Sequence, residues 1–211
     1  MRTDQLLEAL VADRDARARS LTGRLRGAMA VGIALSFALF LCLLGFRPDI
    51  GAALTTWRFE LKIAIVGLAL VVAFRLCRAL LRPVPPAHPA LHLLPLALLL
   101  AAAVALELAL VPASAWETRM IGTNSMICLT MVPVLSLAPL AALFAMVRTA
   151  APASPRRAGA ALGLLAASAG AALYAFHCFD DSPLFVLVWY CLATFPVILL
   201  GAFAGGRLLR W

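Results

Sequence analysis

Six long apolar runs, separated by short polar links, constrain this chain more than anything else in it. An α-helix needs roughly 17–25 predominantly apolar residues to cross the hydrocarbon core of a bilayer. Runs of that kind occupy residues 28–45, 61–81, 91–111, 126–147, 158–177 and 184–205. None alternates apolar with polar residues as a barrel strand would, so the backbone has to satisfy its hydrogen bonds within helices. The predicted fold class is all-α: a polytopic membrane protein of six transmembrane helices, preceded by a short amphipathic N-terminal helix. Composition agrees, with 64% of residues hydrophobic and 13% charged, whereas about a quarter are charged in a soluble domain. Residues 1–26 read as an extramembrane segment and residues 27–211 as the transmembrane domain. The segment before the first run carries Asp4, Glu8, Asp13 and Asp15, and no small-residue cleavage site follows the run. The run therefore reads as a retained span and not a signal peptide.

A net charge of +8 would suit nucleic acid, but its distribution points elsewhere. With the N-terminus inside, fourteen of the eighteen basic residues fall on the cytoplasmic side, and only Arg47, Arg58, Lys62 and Arg119 fall outside. The positive-inside rule then places both termini in the cytoplasm. The basicity is a topology signal, the expected environment is the lipid bilayer, and no direct nucleic-acid binding is expected.

Residues 1–26 carry a second pattern. Thr3 or Asp4 suits an N-cap, and Leu6, Leu7, Leu10 and Val11 fall on one helical face. Such a helix either lies on lipid headgroups, anchored by the arginines from Arg14 to Arg26, or offers its leucine face to the groove of a cytoplasmic protein. Further along, Trp57 and Phe59 read as interfacial belt residues, and Lys62 as a cation snorkelling to the headgroups. Glu107 reads as reaching water or Arg119. Pro95, Pro133, Pro139 and Pro196 are expected to open their helices locally, with neighbours satisfying the freed carbonyls. His88 and His92 read as plain loop residues. Gly159, Gly163, Ala167, Gly170 and Ala171 give the fifth run a face that permits close helix approach, expected against the fourth.

Chemistry concentrates in the turn from His177 to Phe185. Counted from the arginines of the link between the fourth and fifth runs, Cys128 and Cys178 both lie roughly 30 Å away at 1.5 Å per residue. Two readings follow. The thiols form an oxidant- or metal-sensing pair, modulated by His177, Asp180 and Asp181, with Cys128, Cys178 and His177 as ligands to a transient soft divalent cation. Alternatively they pack inertly, as Cys42, Cys77 and Cys191 are expected to. The imidazole favours a thiolate and the carboxylates oppose it, so the sign of the thiol shift stays open. Asp181 or Ser182 is expected to cap the sixth helix ahead of Pro183, and Trp189 and Tyr190 to pack.

Several motifs occur in a specific order: Met1 to Leu10, Arg47-Pro48-Asp49, Ala151-Pro152 with Ala158-Gly159-Ala160, His177 to Phe185 with Trp189-Tyr190, and the terminal Gly206 to Trp211. Together they make the chain similar to the NrsF-type membrane anti-sigma factors, negative regulators of sigma F, over nearly its whole length. The resemblance implies a bacterial inner-membrane protein without enzymatic activity. It implies that the N-terminal segment, with Thr3, Asp4, Leu6, Leu7 and Leu10, holds an extracytoplasmic-function sigma factor. It further implies that Cys128 and Cys178 sense oxidative or heavy-metal stress and trigger release, without a resident cofactor. Cys42 and Cys191 are competing thiols that would blur a two-thiol switch. Rival readings are a membrane thiol oxidoreductase, for which a Cys-x-x-Cys pair is lacking, and a small transporter, for which the spans offer almost no central polar groups.

Overall fold

The computed structural model describes residues 3–148, 150 and 152–209, with side chains from Leu21 onward. The chain is 81% helical, and no strand occurs among the described residues. Six helices are long and apolar enough to cross a membrane: Leu21–Leu43, Trp57–Leu80, Pro89–Leu110, Ser125–Val147, Pro155–Tyr174 and Pro183–Leu208. They are called the first to sixth spans. An even number of spans returns both ends of the chain to one face, the terminal face. The links over residues 44–56, 111–124 and 175–182 crowd the opposite, distal face.

The first span is not separate from the segment ahead of it, because one helix runs from Thr3 to Leu43. Residues 12–26 are rich in Ala, Arg and Leu and contain no proline, so nothing in them stops a helix. The side chains of Thr3, Asp4, Leu6, Leu7 and Leu10 lie outside the described residues.

The fifth span is the axis of the bundle and is mostly buried, whereas the third is mostly exposed. It packs on the first, second, fourth and sixth spans, while the third span leans on the second. Small residues permit this, although the expected pairing needs correction. Gly159 and Gly163 face the sixth span, not the fourth. A Cβ added at Gly163 would lie 2.5 Å from the Val197 carbonyl oxygen and 2.9 Å from Ile198 Cα. One added at Gly159 would lie 2.7 Å from Gly205 Cα. The sixth span brings its own glycines, Gly201 and Gly205, to the same seam, so neither backbone holds the other off with a side chain there. Only Gly170 meets the fourth span as expected, where a Cβ would sit 2.7 Å from the Val132 carbonyl oxygen.

The fourth and first spans are joined by the chemistry of a proline. Pro139 has no N–H, so the carbonyl of Leu135 loses its intrahelical donor. Ser36 of the first span donates its hydroxyl to that oxygen at 2.6 Å, and both side chains are buried. Pro139 also abuts Gly32, where a Cβ would lie 3.0 Å from the proline nitrogen. The expectation that a neighbour satisfies a freed carbonyl holds at this site.

Gly163→Ala is expected to destabilise the bundle by about 1–3 kcal/mol through overpacking. Gly67→Ala, with nothing within 4 Å of the added carbon, should leave it unchanged or slightly stabilised. Thermal unfolding of both variants in detergent checks this; equal effects would contradict the tight seam.

Candidate functional site

The distal face is organised by Asp181, which stands in the turn between the fifth and sixth spans. Its carboxylate accepts from Arg47 Nη1 at 2.9 and 3.1 Å and forms an ion pair with Lys62 Nζ. The same two cations both donate to the backbone carbonyl of Cys178, Lys62 at 2.8 Å and Arg47 at 3.2 Å. Lys62 is 1% exposed. The snorkelling expectation is therefore wrong: the Lys62 ammonium is enclosed in the protein, held by a part-buried carboxylate and a carbonyl. Phe59 is also fully buried and not interfacial, since both cations lie over its ring, Lys62 at 5.2 Å and Arg47 at 5.8 Å.

Arg47 reaches the site from the link after the first span. That link leaves the helix through Gly45 at φ +71°, a left-handed conformation that favours glycine. The guanidinium grips Asp49 through two bonds of 2.7 Å and stacks 4.9 Å from the centroid of Phe179. These bonds hold the Asp49 carboxyl below the usual carboxylate range and push the Arg47 guanidinium still higher. His177 Nδ1 lies 3.1 Å from the Gly45 carbonyl oxygen, closing the link against the turn.

Asp180 faces the other way and ties the turn to the fourth span. It accepts from the backbone N–H groups of Thr123 at 3.0 Å and Asn124 at 2.8 Å, and from Asn124 Nδ2 at 3.1 Å. A carboxylate at a helix start also meets the positive end of that helix dipole. Gly122, at φ +62°, makes the approach possible, because a Cβ there would lie 2.7 Å from Asp180 Cγ.

Glu107 supplies a second buried node. It is 0% exposed and accepts from Arg58 Nε at 2.9 Å, Arg119 Nη1 at 2.9 Å and Ser182 Oγ at 3.4 Å. The expected pairing with Arg119 is present; access to water is not. Ser182 also caps the sixth span by accepting from Leu184 N–H at 3.3 Å, with Pro183 next in line, as expected. The span then opens with a π-helical turn, Val186–Tyr190, from which Trp189 donates to the Met120 carbonyl at 2.8 Å.

Cys128 and Cys178 belong to one distal core cluster with Tyr174, Phe185 and Tyr190. Both thiols are 0% exposed, and no disulfide joins them. The thiol beside His177, read from sequence as a possible sensor, is thus buried. Burial pushes the Cys178 thiol up, and the Lys62 ammonium offsets this only in part. A thiol so held stays protonated at neutral pH and is a poor nucleophile until the core opens. Among the described residues, no three His, Cys, Asp or Glu side chains are gathered as a metal site, so His177 and the two thiols do not form a ready ligand set. Of the other three cysteines, Cys42 and Cys191 are exposed on the bundle surface, not packed as expected, whereas Cys77 is buried. Tyr190 carries the one buried side-chain oxygen without a hydrogen-bond partner among the described residues.

Sequence reasoning missed Arg47 and Arg58 as site residues. Four cations, Arg47, Arg58, Lys62 and Arg119, facing six carboxylates on the distal side were the available signal, together with the Arg47-Pro48-Asp49 motif.

These features define a polytopic helical membrane protein whose distal turns are clamped by buried ion pairs around two enclosed thiols. The chain belongs to the NrsF family: a family model described as "Negative regulator of sigma F" matches residues 10–211. It is 30% identical to the anti-sigma-F factor NrsF of Caulobacter vibrioides (strain NA1000 / CB15N) over the full length of both chains. It is 32% identical to the probable anti-sigma-F factor NrsF of Azospira oryzae (strain ATCC BAA-33 / DSM 13638 / PS), also over both full lengths. No solved structure matches.

Asp181→Asn is expected to cost roughly 3–5 kcal/mol, because it leaves Lys62 buried without its anion. Asp49→Asn removes a partner that is 48% exposed and should cost less than about 1 kcal/mol. Unfolding in detergent against denaturant distinguishes them; comparable losses would show that Asp181 is not the centre of the clamp.

Proposed function

We propose that this protein is a membrane-bound anti-sigma factor of the bacterial inner membrane, with no catalytic activity of its own. Its N-terminal segment holds an extracytoplasmic-function sigma factor through the face of Leu6, Leu7 and Leu10, with Thr3 and Asp4 at the helix start. Oxidation at Cys128 and Cys178 releases that partner. The observation that carries this reading is full-length similarity to two proteins named as anti-sigma-F factors. The arginine-rich terminal face supports a cytoplasmic location for both termini by the positive-inside rule.

Physical continuity supports a link between the two ends. The leucine-bearing segment and the first span are one helix, the first span packs on the fourth, and the fourth carries Cys128 near its distal start. Joining the thiols would release two protons and pass two electrons to an envelope oxidant of the peroxide class. Moving a two-state equilibrium from 1:99 to 99:1 takes about 5.5 kcal/mol. A potential difference of roughly 120 mV between the two states would supply it. We favour oxidation over capture of a soft divalent metal because His177 and the thiols are not gathered as a ligand set. A transporter reading is disfavoured because the buried charges Arg47, Lys62 and Glu107 all sit at the distal end, not along the bundle axis.

Full-length protein carrying Leu6→Asp, Leu7→Asp and Leu10→Asp is expected to lose sigma-factor co-purification and to derepress a sigma-dependent reporter. Unchanged repression would refute the tail as the binding element. Cys128→Ser with Cys178→Ser should keep repression while abolishing induction by peroxide; a full peroxide response in that variant would remove the thiols from the mechanism. The same cells challenged with a soft divalent metal test the alternative trigger.

A further inference from the structure

We infer that the terminal face carries a binding site for an anionic phospholipid, between the start of the fifth span and the end of the sixth. A cavity of about 490 Å³ opens there, lined by Arg156, Ala202, Phe203, Gly206 and Arg207. Arg156 stands in the first turn of the fifth span and Arg207 in the last turn of the sixth, so antiparallel packing brings two cations to one cavity. Gly206 makes the convergence close. A Cβ there would lie 3.1 Å from Arg156 Cγ and 3.4 Å from its Nε, so the arginine stem runs along bare backbone. The Arg207 guanidinium rests 4.1 Å from the centroid of the Phe203 ring, at the same opening.

Both arginines are exposed, and two like charges facing one cavity repel unless an anion lies between them. Residues 21–209 supply none at this end: Asp49, Glu60, Glu107, Glu117, Asp180 and Asp181 all stand on the distal side. The positive end of the fifth helix adds to the attraction for an anion. The apolar part of the lining decides which anion fits. Phe203 is 57% exposed and lies, with Ala202, one turn deeper into the span than the arginine rim. A phosphodiester with an acyl chain satisfies rim and floor together, whereas free phosphate leaves the floor bare. Basic pockets between helix ends suit such headgroups. The site stands independently of the sigma-factor reading.

The test uses full-length protein in nanodiscs of phosphatidylcholine with and without phosphatidylglycerol, read by native mass spectrometry and thermal unfolding. Wild type is expected to retain and be stabilised by phosphatidylglycerol. Arg156→Gln with Arg207→Gln should weaken retention on the order of tenfold, since each headgroup cation contributes a sizeable share of such binding. Arg82→Gln with Arg148→Gln removes the same charge from the same face and should change retention by less than about twofold. Ala202→Trp fills the floor, keeps both arginines and should also lose the lipid; it carries the test if the double variant fails to fold. Equal losses in the two arginine pairs would overturn the proposal in favour of diffuse surface charge. Protection by inorganic phosphate matching that by phosphatidylglycerol would overturn it in favour of a free-anion site.

Discussion

The pairing of Asp181 with Lys62 and Arg47 is the interaction on which the distal half of this molecule depends. Lys62 sits on the second span and is enclosed, so its charge is tolerable only because a carboxylate and the Cys178 carbonyl surround it. That requirement dictates where the turn between the fifth and sixth spans must lie. Once the turn is there, Asp180 reaches the start of the fourth span and Ser182 reaches Glu107 of the third, which in turn gathers the second span through Arg58 and the link after the third through Arg119. Links from all six spans thus converge on six consecutive residues, His177 to Ser182. A turn with so many anchors cannot shift at one residue without loosening several others.

This arrangement gives the two thiols an environment unlike that of an exposed redox pair. They lie below the clamp, among Tyr174, Phe185 and Tyr190, with solvent excluded and the Cys178 thiol biased toward its protonated form. A reagent has to wait for the clamp to open, and the frequency of opening, not thiol acidity alone, would govern its access.

The spans were legible in the sequence because each run is long and apolar enough to be recognised on its own, and Pro139 announced a freed carbonyl. Serine capping of the sixth span was legible because Ser182-Pro183 is a local signal. Lys62 was not, since a lysine one turn inside a span snorkels by default and its partner lies 119 residues away. Phe59 was misplaced for a related reason: local position suggests an interface, while Arg47, one of the two cations over its ring, comes from the link after the first span. The glycines of the fifth span announced close packing but not the partner, which depends on the matching glycines Gly201 and Gly205. Cys42 and Cys191 show the limit from the other side, because burial of a cysteine depends on which way its helix faces.

The seam between the first and fourth spans has a mechanical consequence. Pro139 nests on Gly32, which is bracketed one turn away on either side by Ala28 and by Ser36, the donor to Leu135. A small axial slip would drive the pyrrolidine ring against a side chain while stretching the Ser36 bond, so small displacements are opposed on both counts. The positions about 6 Å away along the helix, four residues at 1.5 Å each, are Ala28 and Ser36, and both carry a Cβ that the proline ring would meet. The seam is therefore keyed: the two helices are held in this one register.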